Sequence, residues 1–282
     1  MAGQAEEGPL LVIDGDSFAH RAYHAVPKSI QRAGGKAGNA ILGFSNYVLR
    51  LYEAEKPRAV FVGWDKLSEP NWRAGELDGY QGGREMDDAI VEQLDVLPEF
   101  IASFGFGYGK GEAMEADDWI ASAASAEEKR GGTALVASGD RDSFQLASGS
   151  VTILHPIKGG EMARIGPVEV MERYGVRPEQ VPDFIALRGD PSDKIPGAKG
   201  IGAVTAASLL KRYATLEEML ADGKFESQAD DLRLYKRIAT MVRDLKLPAI
   251  KSTAPDWASG AALARKWELN GLADRLEKLA AG

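Results

Sequence analysis

Cysteine is absent from the 282-residue chain. Disulfides, thiolate nucleophiles and Cys-ligated zinc are thereby excluded, so any metal must be held by oxygen or imidazole. Histidine is nearly absent too: only His20, His24 and His155 occur, too few for a histidine-rich metal site. His20 and His24, at i and i+4, mimic the spacing of a zinc pair without making one the preferred reading. No Ser-His or Cys-His nucleophile pattern is evident. No apolar run approaches the roughly 20 residues that span a bilayer. The N-terminal MAGQAEEGPL is acidic and polar, unlike a signal peptide. A cytoplasmic protein with no membrane partner is the expectation.

What is present is ordinary for a folded domain: 44% hydrophobic and 27% charged residues, with no sign of disorder or fibre. The length allows one elaborate domain, or one domain with a smaller appendage. The net charge of -8 opposes a nucleic-acid partner, because phosphates need a basic surface. That sum misleads if many acids are gathered at a cation site, where bound metals cancel their charge.

Three short apolar runs are bounded by turn formers: Leu10 to Ile13, Ala59 to Trp64, and Thr133 to Ser138. Continuous rather than alternating, they predict buried strands of a parallel sheet covered on both faces. Each is followed at once by an acid, namely Asp14, Asp65, and Asp140 after Gly139. Helical patterns lie between them, over Asn39 to Glu55, Asp87 to Phe104 and Glu115 to Lys129, which makes the class α/β. A fourth strand is expected over Val151 to Leu154. In open α/β sheets the carboxyl ends of strands form the ligand crevice, so the three acids should converge. From about Gly166 the pattern changes to short helices separated by Gly and Pro, a helical subdomain.

Three acidic clusters carry the chemistry. Asp14, Asp65 and Asp140, with Asp142 two residues on, end strands; any one alone is an ordinary turn residue. Glu115-Ala116-Asp117-Asp118 opens a helix, where one or two acids would merely complement the dipole. Three beside a crevice already holding four carboxylates need cations, since anions about 4 Å apart repel by roughly 4 kcal/mol per pair at an effective dielectric of 20. Asp190 and Asp193 sit in a turn that runs into Pro196-Gly197-Ala198-Lys199-Gly200-Ile201-Gly202 and then a helix. That run is the pattern of a helix-hairpin-helix, whose glycines let backbone amides approach a DNA phosphate. The plain alternative is a Gly-rich helix start.

These motifs resemble a known family, the bacterial 5′ nucleases: the 5′-3′ exonuclease domain of DNA polymerase I and stand-alone flap endonucleases. The resemblance spans about Leu10 to Leu247. It rests on Ile13-Asp14-Gly15, Arg21-Ala22-Tyr23-His24-Ala25, Trp64-Asp65, Glu115 to Asp118, Gly139-Asp140-Arg141-Asp142, and the Gly189-to-Gly202 block. It implies a PIN-like nuclease core over 9–175 with a mostly parallel sheet and a helical arch near 66–103. A helix-three-turn-helix DNA-binding subdomain over 176–250 and a C-terminal helical segment over 251–282 follow. It further implies that Asp14, Asp65, Glu115, Asp117 and Asp118 surround a first Mg²⁺ or Mn²⁺, directly or through water. Asp140, Asp142, Asp190 and Asp193 would hold a second.

The same resemblance implies a K⁺ held by hairpin carbonyls, including those of Ala198 and Ile201, with Leu187 and Arg188 as weaker candidates. Lys199, Gly200 and Gly202 would meet DNA phosphates beside it. Arg21, and Arg73, Tyr80 and Arg84 at the arch base, would meet the scissile phosphate and the 5′ end. One departure stands out: most relatives carry Tyr-Lys where this chain has Tyr80-Gln81. That lysine resembles an electrostatic stabiliser of the transition state; Gln81 offers hydrogen bonds and no charge.

The chemistry also follows without the family. Carboxylates suit hard divalent ions, and two such ions about 4 Å apart activate water and stabilise the departing oxygen of a phosphodiester. Exonuclease and 5′-flap endonuclease action in replication and repair is the expectation, by a monomer, with any polymerase or sliding clamp acting in trans. Two other readings remain. A haloacid-dehalogenase-type phosphatase would use Asp14-Gly15-Asp16-Ser17 as its nucleophile motif, but leaves Glu115 to Asp118 and the hairpin glycines unexplained. A non-catalytic, structure-specific DNA-binding protein would bind without cleaving, and the intact Asp140 and Asp142 argue against it.

Overall fold

A computed structural model describes residues 8–82, 86–111 and 113–282. The chain opens with β1 (Leu10–Asp14) and α1 (Gly15–Ala25), a short hairpin of β2 (Gln31–Arg32) and β3 (Lys36–Ala37), then α2 (Asn39–Glu55) and β4 (Ala59–Trp64). It continues through α3 (Trp72–Glu76), α4 (Asp88–Ser103), β5 (Gly107–Lys110), α5 (Ala116–Lys129), β6 (Ala134–Ala137), β7 (Val151–Pro156) and β8 (Met162–Ile165). The rest is helical: α6 (Pro167–Tyr174), α7 (Val181–Arg188), α8 (Ala203–Arg212), α9 (Leu216–Ala221), α10 (Ala229–Ala239), α11 (Trp257–Lys266) and α12 (Asn270–Ala280).

The expected strands pair as a six-stranded sheet in the order β5-β4-β1-β6-β7-β8, parallel except at the β7–β8 edge. Alternation along the strands splits the core in two. Leu10, Val12, Phe61 and Val136 face one side, with α5 and the helical subdomain. Leu11, Ile13, Val60 and Val62 face the other, with α1, α2 and α4. Both faces are dry, which is why these strands read as continuous apolar runs. The chain builds outward from β1 to β4 and β5, then returns to place β6 on β1's other side. The carboxyl end of β1 is therefore a topological switch point, the crevice position for a ligand.

Two strands of this sheet went unforeseen, as did the separate β2–β3 hairpin. β5 reads Gly107-Tyr108-Gly109-Lys110, a poor strand sequence held by its ladder to β4. β8 is a four-residue antiparallel edge.

The stretch expected to be an arch, 66–103, divides. Ile90, Leu94, Leu97 and Ile101 recur at helical spacing and are each at most 2% exposed, so α4 is a core helix. Asp87 caps it by accepting from the Ala89 amide at 3.0 Å. The part before it has α3 as its one helix among the described residues and is anchored on the other core layer through Trp72, Leu77 and Tyr80.

The C-terminal segment also has a structural role. Ala264, Leu272 and Leu276 pack into the same cluster as Leu49, Phe100 and Phe104, and Trp267 stacks on Phe100 at 5.3 Å between ring centroids. α11 and α12 thus complete the N-terminal core. Leu276 is fully buried, so Leu276→Ala should lower unfolding free energy by about 2–5 kcal/mol. Guanidinium denaturation checks this; a loss below about 1 kcal/mol would show that the C-terminal helices do not belong to the cooperative core.

Candidate active site

At the switch point a cavity of about 820 Å³ is lined by six carboxylates, those of Asp14, Asp16, Asp65, Glu115, Asp117 and Asp140. Four of the six are aimed by backbone hydrogen bonds at a strand end or helix start. Asp14 ends β1 and caps α1: its Oδ1 accepts from the Ser17 amide at 3.0 Å, and its Oδ2 from the Ser138 hydroxyl at 2.8 Å. Asp65, after β4, accepts from the Ala116 amide at 2.6 Å, and Asp16 accepts from the Asp65 amide at 2.7 Å. Asp140 accepts from the Asp142 amide at 2.9 Å.

Burial makes this crowd costly. It pushes Asp14 up to about 7, with repulsion from Asp65 and Asp140 adding and the two serine hydrogen bonds opposing. Glu115 also rises to about 7 by burial, against the pull of Arg73. Asp16, Asp117 and Asp142 are raised well above their ordinary value, by burial first and then by their acidic neighbours. Asp117 keeps a buried Oδ1 with no hydrogen-bond partner. No three described acidic or histidine side chains are already closed around a point as an ion cage; braced by amides, they ring the cavity. The donor set is nonetheless all anionic oxygen, mutually repelling, with one orphaned ligand atom. That chemistry fits hard divalent cations.

Asp142, Asp190 and Asp193 do not line the cavity themselves, but their charges act at it, Asp193 on Glu115 and Asp142 on Asp117. Asp142 feels Asp190 and Asp193 as repelling charges. The Gln81 amide links the halves, with Nε2 at 3.0 Å from Glu115 Oε1 and 3.2 Å from Asp193 Oδ1. Gln81 holds this position at a left-handed φ of 46°. The hairpin after Asp193 closes on the end of α7: Gly189 and Gly197, both at positive φ, approach so nearly that a Cβ on Gly197 would lie 2.4 Å from the Gly189 nitrogen. The carbonyls of Leu187 and Ala198 each accept one backbone amide, from Ala198 and Ile201, and keep a second lone pair. Arg188 pairs with Asp190 at 3.0 Å. Lys199 and Gly200 are exposed on the turn, and Gly202 stands at the N-cap of α8.

Five expectations need correction or qualification. Asp118 is fully buried outside the cavity. Its Oδ1 accepts from Arg73 Nη2 at 2.7 Å and from the Val242 amide at 2.9 Å, and its Oδ2 accepts from Arg73 Nη1 at 2.7 Å. It is a brace, not a ligand facing the cavity. Arg73 is 3% exposed and also donates to Glu115, to the Ile238 carbonyl and to the Thr240 carbonyl. Burial alone would lower its affinity for its proton, but Asp118 and Glu115 raise it. Its guanidinium has no face left for a 5′ end. Tyr80 is likewise buried, its hydroxyl donating to Glu115 at 3.2 Å, so it supports the acid rather than DNA. Arg21 lines a neighbouring cavity instead of the acidic one. Arg84 lies outside the described residues.

Asp16 was the missed site residue. In the sequence it stood out only inside Asp14-Gly15-Asp16-Ser17; its i+2 spacing from the strand-end acid was the available signal.

A carboxylate-lined switch point beside a Gly-rich hairpin defines the class: an α/β nuclease fold with a helical appendage. A 5′-3′ exonuclease N-terminal resolvase-like domain matches residues 9–175, and a 5′-3′ exonuclease C-terminal SAM fold matches 176–257. The chain belongs to the 5′-3′ exonuclease family. DNA polymerase I of Mycobacterium tuberculosis is 36% identical over 87% of this chain, and the thermostable DNA polymerase I of Thermus thermophilus is 34% identical over 98%. The chain spans 27% and 32% of the length of those two relatives. Among solved structures, T5 5′-exonuclease with bound divalent zinc superposes with a TM-score of 0.65 at 18% identity, covering 96% of this chain and 99% of that one. Flap endonuclease-1 from Methanococcus jannaschii gives 0.63 at 15% identity, covering 97% and 93%. These likenesses are of fold.

Two predictions separate ligand from brace. Asp118→Asn, which removes one of the two carboxylates that neutralise buried Arg73, should cost about 3 kcal/mol of stability, with or without divalent cation. Asp117→Asn should spare metal-free stability and abolish stabilisation by Mg²⁺ or Mn²⁺. Thermal melts in EDTA and in cation check both, and equal behaviour of the two variants would refute the assignment.

A further prediction concerns pH. Asp14 and Glu115 sit near 7 when folded and near their ordinary values when unfolded, so between them the folded state binds more protons. Stability from these groups is therefore present in acid and lost as pH rises between roughly 4 and 7. In EDTA the melting temperature should fall across the upper part of that window, and Asp14→Asn should flatten the fall; an unchanged slope would contradict it.

Proposed function

We propose that this chain is a structure-specific 5′ nuclease that hydrolyses phosphodiesters in DNA bearing 5′ ends or 5′ flaps, in replication and repair. The observation that carries the reading is the six-carboxylate cavity with the orphaned Asp117 oxygen. Asp14, Asp65, Glu115 and Asp117 would hold one Mg²⁺ or Mn²⁺, with Asp16 lining the same wall. Asp140, Asp142, Asp190 and Asp193 would hold the other. Such ions supply a nucleophile from water and offset charge on the phosphate.

The chain's own residues do the rest. The Ser17, Ala116 and Asp142 amides fix the carboxylates before substrate arrives, so their reorganisation is not part of the barrier. Arg73 and Tyr80 hold Glu115 from beneath. Gln81 spans Glu115 and Asp193 and keeps the two halves of the site in register. The hairpin from Gly197 to Gly202 presents amides and Lys199 to a duplex phosphate, with a K⁺ on its carbonyls as part of this reading. DNA would be the partner, bound by a monomer in the cytoplasm, and a polymerase or sliding clamp would couple cleavage to synthesis. No described helix is long and apolar enough to cross a membrane.

A phosphatase with Asp14 as nucleophile is disfavoured because it leaves Asp65, Glu115 and Asp117 in the same cavity, and the hairpin glycines, without a role. Incubating labelled 5′-flap DNA with the protein and Mg²⁺ or Mn²⁺ tests the proposal. Release of the flap, abolished by EDTA and by Asp140→Asn, is expected; tight binding without cleavage would sink it.

Gln81→Lys should leave DNA affinity intact and raise the single-turnover cleavage rate, by up to roughly 10²-fold, by adding charge where the transition state develops it. An unchanged rate would reject that role for the position.

A further inference from the structure

Beside the acidic cavity lies a second concavity of about 610 Å³, lined by Arg21, Arg141, His155, Lys158 and Arg173, with Tyr47, Ile157 and no carboxylate. The two are back to back. Ser17, His20, Gly139 and Asp140 line the acidic one, while Arg21 and Arg141, next in sequence to His20 and Asp140, line the basic one. Ser138 joins them, its hydroxyl on Asp14 and its carbonyl 3.2 Å from His155 Nδ1.

The cations here are unlike others in the chain. Most described arginines are ion-paired, as Arg32, Arg58, Arg164, Arg233 and Arg265 are. Arg21, Arg141, Lys158 and Arg173 form no close ion pair among the described residues, Glu169 one helical turn before Arg173 being only a more distant charge, although the chain carries 42 acids and 34 bases. Arg50, also without one, lies alongside over the Tyr47 ring at 4.9 Å. Burial, then repulsion from Arg141, Arg173 and Arg21, holds His155 below its ordinary value, so it stands there as a neutral hydrogen-bonding group. Unpaired cations held together on a surface with acids to spare need anions from elsewhere.

The shape suits an extended anion better than a single one. Arg173 also lines the adjoining groove, with Arg188, Lys211 and the α8 residues Ala203 and Val204. The cationic lining therefore runs from the hairpin helix, past Arg173, to Arg21 at the edge of the acidic cavity. The flanking Ile157 is 43% exposed and offers an apolar contact for a sugar or base edge.

We propose that this basic concavity is a second DNA site, which grips the phosphodiester backbone of the bound duplex away from the phosphate being cleaved and connects the hairpin to the acidic cavity. This rests on the nuclease reading. Arg21 then belongs to substrate binding outside the reacting centre, and Arg173 marks the middle of the path.

The test is the double variant Lys158→Gln/Arg173→Gln, both exposed positions, against the wild-type protein on a fluorescent 5′-flap duplex. In EDTA, the slope of log affinity against log salt should fall by about 1–2, as expected when two phosphate contacts are lost, and affinity should drop several-fold at fixed salt. In Mg²⁺, KM should rise with kcat at saturating DNA unchanged. The charge-keeping variant Lys158→Arg/Arg173→Lys should restore the slope. An unaltered slope and KM, or a loss of kcat without a change in binding, would overturn the second site while leaving the nuclease reading intact. If the wild-type protein neither binds nor cleaves the duplex, both fall.

Discussion

Six carboxylates share one crevice, and their mutual repulsion is the constraint to which the rest of the molecule answers. Like charges a few ångströms apart, part-removed from water, resist being gathered unless something rigid holds them. A parallel sheet does so because three adjacent strands end at the same level. β4 and β6 flank β1 in register, Leu10 opposite both Ala59 and Ala134, so Asp14, Asp65 and Asp140 arrive together without any local preference for doing so. The two apolar layers supply the stability that the crevice takes away. The amides of Ser17, Asp65, Ala116 and Asp142 then fix individual carboxylates. What stays unbalanced is a site poised for cations, with Asp14 and Glu115 near 7 when none is bound.

Arg73 is the interior counterweight. It neutralises Asp118 and Glu115 beneath the cavity and, through the Ile238 and Thr240 carbonyls, ties the end of α10 to the same point. Asp118 returns the tie through the Val242 amide. Gln145 makes a parallel one, donating to the Ala239 carbonyl and accepting from the Met241 amide. The helical subdomain carrying Asp190, Asp193 and the hairpin is thus fixed to the catalytic layer through polar groups buried under the acids. Charges so placed contribute more to geometry than to net stability, because desolvation offsets much of their attraction. Geometry is what a two-part ligand set needs.

Much of this was legible in the sequence, and the failures have physical reasons. β1, β4 and β6 announced themselves because both faces of each are buried, and α2 fell on its expected bounds, Asn39–Glu55. β5 did not, since Gly107 and Gly109 carry no strand signal and the ladder to β4 alone holds them. Among site residues, Asp117 and Asp118 could not be told apart: neighbours on a helix point about 100° apart, so only one can face the crevice. The same rotation sends His20 into the acidic cavity and Arg21 into the basic one. Arg73 and Tyr80 were expected at the scissile phosphate and the 5′ end because nothing in a linear reading says that an arginine has been buried between two acids. Asp16 was hidden by being an ordinary turn residue beside a more conspicuous one.

The net charge of -8 is the feature that most opposed a nucleic-acid partner, and it dissolves once charge is placed in space. Acids are concentrated where cations can cancel them, while Arg21, Arg141, Lys158 and Arg173 stand together with no carboxylate in their cavity. Screening limits a DNA phosphate to charges within about 8–10 Å at ordinary salt, so it responds to the patch it touches and not to the molecular total. Two adjoining cavities of opposite sign do something that a uniformly basic surface cannot. The basic one attracts the backbone, and the acidic one repels it until cations are bound, which makes the approach of a phosphate to the reacting centre conditional on a loaded site.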